Sequence, residues 1–436
     1  MIAYNPMREL PATAGYGKGD VLVVCGELFG RGYANGIVEE ARARGMTVVG
    51  ATVGRRASDG KLRPLTSAEL SEAEALLGGR IINVPLEAGF DLEPDDDGTS
   101  PADQLKRAKP DTWNQVRLNW RSIEQSRQRG VARFTAALAA FAAEAEKLIP
   151  AGANVLFAHI MAGGIPRIRV YMPLMNRVFK GQGERFLSSE EFWNSELGRL
   201  CSMNFNEVTA DTFTHLLAAT AGIRSRVSAA GGAVSYVAYG YHGCGVLING
   251  AYTWQSFTPY LPGWAKIRLE EAAMAAWEQG VRATVFNCPE IQTNSSALFL
   301  GVELSLYPLL EALEREGGGP RVAMIRAECQ ALLKEGVTVE TLLARAGDYL
   351  ASPVMSGFSR YGEWPHHNTA EQASFMLERA TELLDQNRDP KEIVCAVLSR
   401  VVFNAVGQLM LDASWEPAAP VFWLDHDIIA KRTVAG

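Results

Sequence analysis

A strand, a glycine-rich turn, a helix and a second strand follow one another near the start of the chain, and no other feature constrains its fold as tightly. Residues 21–24 form a short apolar, β-branched run that predicts a strand. The run ends in a turn that carries Gly26, Gly30 and Gly32, after which apolar residues recur at helical spacing. A second strand is predicted at 46–51. The segment therefore predicts a βαβ unit, which is typical of parallel sheets covered by helices.

Strands and helices keep alternating along the rest of the chain. A long helical pattern covers 112–149 with a break near Gly130, and residues 303–400 are mostly helical in pattern. Further strands are predicted at 81–84, 154–158, 233–238 and 283–286, and a resemblance described below implies a last strand at 406–412. These elements predict an α/β fold, a doubly wound parallel sheet of the Rossmann type with a large, mostly helical insertion before the last strand. We expect a nucleotide-binding catalytic core of residues 18–304 plus 401–420, and a helical insertion or lid at 305–400.

Composition excludes several classes of function. The net charge of −7 gives no general basic surface for nucleic acid. No uncharged apolar run reaches the roughly 18 residues that a membrane span needs. The scattered cysteines form no C-x-x-C pair, and histidines are few, so we predict no metal site and a reducing compartment. The chain shows no apolar signal segment, and we expect a cytoplasmic protein that binds neither nucleic acid nor membrane.

The glycine turn is the predicted cofactor site. Gly26 allows the tight turn after the strand, while Gly30 and Gly32 let backbone N–H groups and the helix N-terminus approach a pyrophosphate. Arg55 and Arg56 follow the second strand. A guanidinium there fits the 2′-phosphate of NADP(H), whereas an acidic residue would hold the ribose hydroxyl of NAD(H). The arginines therefore predict NADP(H), with NAD(H) as the alternative.

The spacing G-x-x-x-G-x-G resembles that of the short-chain dehydrogenase/reductase superfamily. Ala162 and Gly163 stand where the superfamily has an N-A-G segment after its fourth strand, and the resemblance implies that they approach the nicotinamide ribose. The sequence G-Q-L-M-L-D at 407–412 resembles the superfamily's last strand.

A second segment carries the same resemblance. Residues 287–293, N-C-P-E-I-Q-T, are similar to the superfamily's P-G-x-x-T segment, which contacts the carboxamide and the diphosphate. The resemblance implies that Ile291 and Thr293 bind the cofactor. Glu290 stands in place of the usual glycine.

The superfamily's catalytic pair is a tyrosine near the hydride acceptor and a lysine that holds the nicotinamide ribose and lowers the pKa of the tyrosine. Lys266 is implied as that lysine, but the usual Y-x-x-x-K pattern is absent because Pro262 stands four residues before it. The nearest upstream tyrosine is Tyr260. Six residues correspond to about 240° of rotation on one helix, so we expect Tyr260 in the loop that leads into the helix. Tyr252 is the alternative tyrosine.

The long spacing between Tyr260 and Lys266, together with the segment G-W-A-K at 263–266, resembles the bacterial enoyl-acyl-carrier-protein reductases. These enzymes carry a further tyrosine after the fifth strand, where this chain has Tyr239, and the resemblance implies a catalytic role for that residue. His159, after the fourth strand, is similar to the histidine of an H-S-I-G stretch in the same enzymes.

The resemblance implies an NADPH-dependent oxidoreductase that reduces the carbon–carbon double bond of an enoyl thioester linked to acyl carrier protein or CoA. One alternative is an NADPH-dependent carbonyl reductase or alcohol dehydrogenase, although the serine that such enzymes carry after the fifth strand is absent at 237–239. The other alternative is a non-catalytic nucleotide-binding scaffold.

The insertion at 305–400 carries apolar residues at helical spacing, and in a doubly wound sheet it emerges at the carboxyl ends of the strands. We therefore expect it to form one wall of a pocket for a large acyl group, presented as a small molecule or on a carrier. The alternative is that the insertion is an oligomer interface, and we predict a homo-oligomer.

Overall fold

Seven parallel strands form the central sheet of the computed structural model, which describes residues 2–58, 60–174, 189–257, 261–293 and 301–436. The strands in chain order are β1 Val21–Cys25, β2 Thr47–Thr52, β3 Arg55–Arg56, β4 Leu62–Arg63, β5 Arg80–Pro85, β6 Val155–His159, β7 Val234–Gly240, β8 Gly243–Ile248, β9 Ala251–Ser256, β10 Ala283–Asn287 and β11 Val421–Trp423. The order across the sheet is β5-β2-β1-β6-β7-β10-β11, and every neighbouring pair is parallel. Two hairpins lie outside it, β3 with β4 and β8 with β9.

Helices cover the sheet. They are α1 Ala34–Ala43, α2 Ser67–Leu77, α3 Pro101–Leu105, α4 Trp120–Leu148, α5 Tyr171–Leu174, α6 Glu190–Trp193, α7 Glu196–Phe205, α8 Thr212–Ala219, α9 Ala221–Ala229, α10 Leu261–Glu278, α11 Val302–Leu306, α12 Leu309–Arg315, α13 Pro320–Ala331, α14 Val339–Leu350, α15 Pro353–Ser356, α16 Ala370–Leu384, α17 Val394–Ala413 and α18 His426–Ala435. A 3-10 turn occupies Trp113–Gln115, and a π-helical segment, Asn206–Asp211, joins α7 to α8.

The alternation of side chains along β1 builds a core on each face of the sheet. Val23 joins an apolar cluster with Phe141 of α4 and Leu269 of α10. Its neighbours Leu22 and Val24 point to the opposite face and pack in a second cluster that includes α1 and α17. All three side chains are fully buried. Strands buried on both faces explain why these segments read as continuous apolar runs, and the predicted doubly wound sheet is confirmed.

The predicted last strand at 406–412 is wrong, because these residues lie in the buried helix α17. A short apolar run fits a buried strand and a buried helix equally well, so its periodicity did not decide between them. The last strand is β11, which pairs in parallel with β10. The helical region still precedes the last strand, as predicted.

The packing of α17 against α1 explains why this apolar run is helical. A Cβ atom on Gly407 would lie 2.1 Å from the backbone carbon of Gly36, so the two helices touch through their backbones. The predicted domain division at 400–401 falls inside this helix, and the division itself stays a prediction. Among the described helices, α17 alone is long and apolar enough to cross a membrane, but most of it is buried in the protein, as in the core helix of a folded domain.

Candidate active site

The carboxyl ends of β1, β6, β7 and β10 lie side by side, and the strand order reverses between β1 and β6. Open α/β sheets bind ligands at such a switch point. Gly26 makes the turn at the end of β1 with φ +128°. A Cβ atom there would lie 2.7 Å from Cγ1 of Ile160, whose backbone N–H donates to the carbonyl of Cys25 at 3.0 Å. Gly26 is therefore required both by its φ and by the close approach of the two strand ends.

The rest of the turn leaves room for a ligand. A Cβ atom on Gly30 or Gly32 would meet no described atom within 4 Å, and α1 begins at Ala34 directly behind them. The turn is held by Asn35, whose side-chain amide donates to the carbonyls of Phe29 and Gly32 at 3.0 and 3.1 Å. Open space in front of a helix N-terminus, lined by glycine backbone, fits the pyrophosphate of a dinucleotide.

Both arginines that were predicted to bind a 2′-phosphate, Arg55 and Arg56, form ion pairs with carboxylates. Nη2 of Arg55 lies 2.7 Å from a carboxylate oxygen of Glu27, which belongs to the glycine turn. Arg56 donates to Glu87, which in turn pairs with Arg167 at 2.5 Å. The guanidinium groups are thus already paired with carboxylates at the end of β2.

The loop after β6 is held by hydrogen bonds from α7 and from the π-helical segment that follows it. Thr209 donates its hydroxyl to the carbonyl of Gly163 at 2.7 Å, and the Asn204 amide donates to that of Gly164 at 2.8 Å. Gly163 has φ +114° with no described atom within 4 Å of a Cβ position, and Ala162 is exposed. These two predicted cofactor residues therefore face open space beside the turn at Gly26.

The segment after β10 closes the other side. Tyr33, at the start of α1, donates its hydroxyl to the carbonyl of Pro289, so the glycine turn and this segment touch. Ile291 is buried and Thr293 is half-buried. Glu290, in the position of the usual glycine, is buried, and one of its carboxylate oxygens accepts a hydrogen bond from Tyr241 at 2.7 Å.

Lys266 lies on α10 with its side chain buried beneath the loops at the sheet edge. Burial lowers the pKa of Lys266 to about 8, a shift that a Cys288 thiolate would oppose. Burial, followed by the Lys266 charge, lowers the pKa of His159 well below its usual value. Within the described ranges no carboxylate forms an ion pair with Lys266. The structure thus brings together the predicted lysine and the ends of β6 and β10.

A buried hydrogen-bonded network positions α10 against the sheet. Glu270, one helical turn after Lys266, bonds Nδ1 of His242 at 2.5 Å and accepts from the Asn287 amide at 2.7 Å. The backbone N–H of His242 also donates to Asn287 at 3.3 Å. Since these partners follow β7 and end β10, the network fixes the rotation of α10 and so the direction of Lys266.

Tyr239 presents an unused hydroxyl at the same edge. The side chain is buried, its Oη has no hydrogen-bond partner among the described residues, and its ring stacks on Tyr33 with centroids 5.8 Å apart. Burial, and a Cys288 thiolate, raise the pKa of Tyr239 well above its usual value, so the group is a neutral donor. A buried polar atom without a partner in the protein is available to a ligand.

Of the two tyrosines proposed as the catalytic donor, Tyr260 and Tyr252, the structure describes only Tyr252. Tyr260 lies outside the described residues, and its role stays a prediction. Tyr252 is on β9, where its hydroxyl donates to Glu316 at 3.0 Å and its ring lies under the guanidinium of Arg315. The side chain of Tyr252 therefore contacts the C-terminal end of α12.

A cavity of about 440 Å³ is lined by Trp113, by Leu174 and residues 189–192, and by residues 367–370. Its walls come from the loop after β6, from the turn at Trp113, and from the start of α16 in the predicted insertion. Trp113, Leu174 and Phe192 of these walls share an apolar cluster with Ala265, the neighbour of Lys266. His366 packs on Trp264 with ring centroids 3.5 Å apart. The cavity thus adjoins the helix that carries the lysine.

Sequence reasoning missed Glu27, Tyr33 and Glu270. Glu27 stands between the first two glycines of the turn, so an acidic residue within a phosphate-binding motif was the signal that could have drawn attention to it. Tyr33 and Glu270 left no such signal, because their partners, Pro289 and His242, are remote in sequence.

Comparisons with known proteins agree with this architecture. A family model described as enoyl-acyl carrier protein reductase FabMG matches residues 3–433. A solved structure described as the apo form of FabMG, a novel type of enoyl-acyl carrier protein reductase, is 50% identical, covers 100% of this chain and 99% of its own, and superposes with a TM-score of 0.95. An NADH-bound structure of FabMG is 42% identical over 100% of both chains, with a TM-score of 0.79. No curated protein matches the chain.

Proposed function

The chain belongs to the FabMG family of enoyl-acyl carrier protein reductases, and we propose that its active site is the sheet edge formed by the ends of β1, β6, β7 and β10. The protein is an oxidoreductase that reduces the carbon–carbon double bond of an enoyl thioester with a nicotinamide dinucleotide. Membership of this family decides for enoyl reduction over the carbonyl reductase and the non-catalytic scaffold. The observation that carries the site is that the buried Lys266 ammonium, which has no carboxylate partner among the described residues, and the buried Tyr239 hydroxyl, which has no hydrogen-bond partner among them, both interact with Cys288 just after β10.

The protein groups share the work of binding and charge stabilisation. The turn at 26–32 holds the pyrophosphate, and the Lys266 ammonium holds the nicotinamide ribose. When bound, the reduced nicotinamide supplies a hydride to the β-carbon of the substrate. Negative charge then develops on the thioester oxygen, which needs a donor that is already in place. Tyr260 is the proposed donor, and the neutral Tyr239 hydroxyl supports it.

We propose NADH as the cofactor rather than NADPH. The sequence favoured NADPH because of Arg55 and Arg56, but both guanidinium groups are paired with Glu27 and Glu87. A 2′-phosphate would have to break one of these pairs before it could be bound. The NADH in the related FabMG structure supports the same choice.

The cavity beside α10 is the proposed site of the acyl chain. Trp113, Leu174 and Phe192 among its lining residues suit a hydrocarbon, while Glu190, Glu191 and the start of α16 give it polar sides. The part played by the start of α16 supports the proposal that the insertion forms one wall of the acyl pocket. The substrate is an acyl group carried on acyl carrier protein or CoA. We also propose a homo-oligomer and a cytosolic location; the latter is supported by six cysteines that are all buried thiols.

The test is hydride transfer to a defined carbon. The purified protein is mixed with crotonyl thioester and NADH deuterated at the transferable position, and the product is examined by mass spectrometry and NMR. We expect a saturated acyl thioester with deuterium on the β-carbon. An alcohol labelled on the former carbonyl carbon, or NADH that binds but is never oxidised by any enoyl thioester, would overturn the proposed function.

A further inference from the structure

Glu27 is the acidic residue of the glycine turn, and its carboxylate is bound from four directions. It accepts hydrogen bonds from the Thr52 hydroxyl at 2.8 Å, from the Val53 N–H at 3.1 Å, and from both terminal nitrogens of Arg55 at 3.0 and 2.7 Å. The Glu27 side chain is 6% exposed and that of Arg55 38% exposed. Burial alone would raise the pKa of Glu27, but the bonds from Arg55, Thr52 and Val53 lower it, so the group is a fixed anion.

This anion lies where the adenosine ribose of the cofactor is expected to bind. Thr52 ends β2, the strand beside β1, and the end of this strand is where dinucleotide-binding sheets recognise the adenosine ribose. An acidic side chain there bonds the 2′-hydroxyl of NADH, and an arginine there accommodates the 2′-phosphate of NADPH. In this chain the arginine follows β2, but the carboxylate that neutralises it comes from the turn after β1.

No other arginine of the β3–β4 hairpin is free to replace Arg55. Arg56 of β3 pairs with Glu87, and Arg63 of β4 pairs with Glu69 at 2.7 Å. An incoming 2′-phosphate would therefore meet a buried carboxylate and arginines that already have carboxylate partners. Like charges brought together at a poorly solvated site repel strongly.

We propose that Glu27 is the residue that selects NADH over NADPH, both by holding Arg55 in a bidentate pair and by presenting its own carboxylate to the ribose. This inference rests on the proposed function only in that the turn binds the dinucleotide. The same residues predict how the selection is reversed: removing the negative charge of Glu27 frees Arg55 to bind a 2′-phosphate as a planar, two-pronged donor.

The experiment compares NADH and NADPH binding by fluorescence titration, without substrate, for the wild type and for Glu27→Gln. The wild type should bind NADH more tightly. In Glu27→Gln the ratio of the two dissociation constants should shift toward NADPH by about tenfold or more, because one repulsive charge is lost and one cation is released. Glu328→Gln is the matched control, since it removes a glutamate–arginine pair, with Arg400 at 2.6 Å, that joins α13 to α17 and belongs neither to the turn nor to the β3–β4 hairpin; its ratio should not change.

NADH and NADPH binding to Arg55→Ala is a second test of the proposal, independent of Glu27→Gln. We expect NADH binding to persist within about threefold and NADPH binding to gain nothing, because the carboxylate remains. A selective loss of NADPH binding in Arg55→Ala, a wild type that prefers NADPH, or an unchanged ratio in a folded Glu27→Gln would overturn the proposal. If the wild type binds neither cofactor, the proposed dinucleotide site itself fails, and the selectivity proposal with it.

Discussion

At the scale of single residues, Lys266 shows most directly how burial changes the pKa of a side chain. An ammonium without a carboxylate partner is costly to bury, and burial accordingly lowers the pKa of Lys266 from the usual 10.5 to about 8. The group is charged below this pH and neutral above it. A ligand that needs the ammonium will therefore be bound less tightly as the pH rises.

The first prediction concerns this pH dependence. The dissociation constant for NADH should rise as the pH passes through about 8, by up to about tenfold per pH unit. Lys266→Met should bind NADH weakly and lose this dependence, which fluorescence titration over a pH series measures. The unfolded chain binds more protons than the folded one between the two pKa values, so Lys266 adds stability as pH rises there. A loss of binding in this window is thus not unfolding caused by Lys266.

A second prediction separates the two tyrosines. Tyr239→Phe removes a buried hydroxyl that has no partner among the described residues, so the melting temperature should be unchanged or higher. Activity should fall, because the supporting donor is lost. Tyr260→Phe should lower kcat by about 10²-fold or more, the usual cost of removing a donor to a developing oxyanion.

Steady-state kinetics with crotonyl thioester give both values. A Tyr239→Phe enzyme with full kcat would leave Tyr239 as a packing residue, and a fully active Tyr260→Phe would remove the proposed donor.

Residue by residue, the sequence drew attention to much of the proposed site. Gly26, Gly163, Lys266 and Tyr239 could be singled out because each stands at or near the end of a strand or the start of a helix, where ligand chemistry concentrates in parallel sheets. The pairing of Arg55 with Glu27 could not, since it depends on how a turn folds back over the next strand.

At the scale of elements, the contact between α1 and α17 leaves no room for a side chain at the point where the two helices cross. A Cβ atom on Gly36 would lie 1.9 Å from the carbonyl oxygen of Phe403, a backbone atom that cannot move aside. The glycines at this crossing explain how a helix from the far end of the chain packs directly behind the cofactor turn.

The third prediction follows from this contact. Gly36→Ala should lower the free energy of unfolding by about 1–3 kcal/mol, or prevent folding, because the helices must separate. Gly222→Ala on α9 is the control, since no described atom lies within 4 Å of its Cβ position; it should be neutral or stabilising by up to about 1 kcal/mol. Chemical denaturation measures both, and equal stability of the two variants would contradict the packing described.

Two helices, α4 and α17, differ from what the sequence patterns predicted. The expected break near Gly130 is absent, because α4 runs unbroken through it; the glycine is needed since a Cβ atom there would lie 2.8 Å from the carbonyl oxygen of Gly89. The run at 406–412 was predicted as a strand from its resemblance to the superfamily's last strand, but a short apolar run also fits a helix that is buried on most sides.

At the scale of the whole molecule, the start of α16 and the segment that follows β6 both line the cavity. The doubly wound sheet was predictable from the alternation of strands and helices along the chain. The cavity was not, because its walls come from segments about sixty to two hundred and sixty residues apart, brought together only by the fold.

The fourth prediction tests this cavity as the acyl site. Ala370 lies at its edge, at the start of α16, so Ala370→Trp should lower kcat/KM for long-chain enoyl thioesters by about tenfold or more while sparing crotonyl thioester. Ser374→Trp, on the same helix at an exposed position that does not line the cavity, is the matched control. A chain-length profile that Ala370→Trp leaves unchanged would place the acyl chain elsewhere.

The central claim, that the ends of β1, β6, β7 and β10 form the reductase site, is tested most directly by a crystal structure of the complex with NADH and an unreactive acyl thioester. We expect the pyrophosphate over the turn at 26–32, the adenosine ribose beside Glu27, and the nicotinamide ribose within hydrogen-bond reach of the Lys266 ammonium. A dinucleotide bound at another part of the molecule, or a nicotinamide ribose out of reach of Lys266, would contradict it.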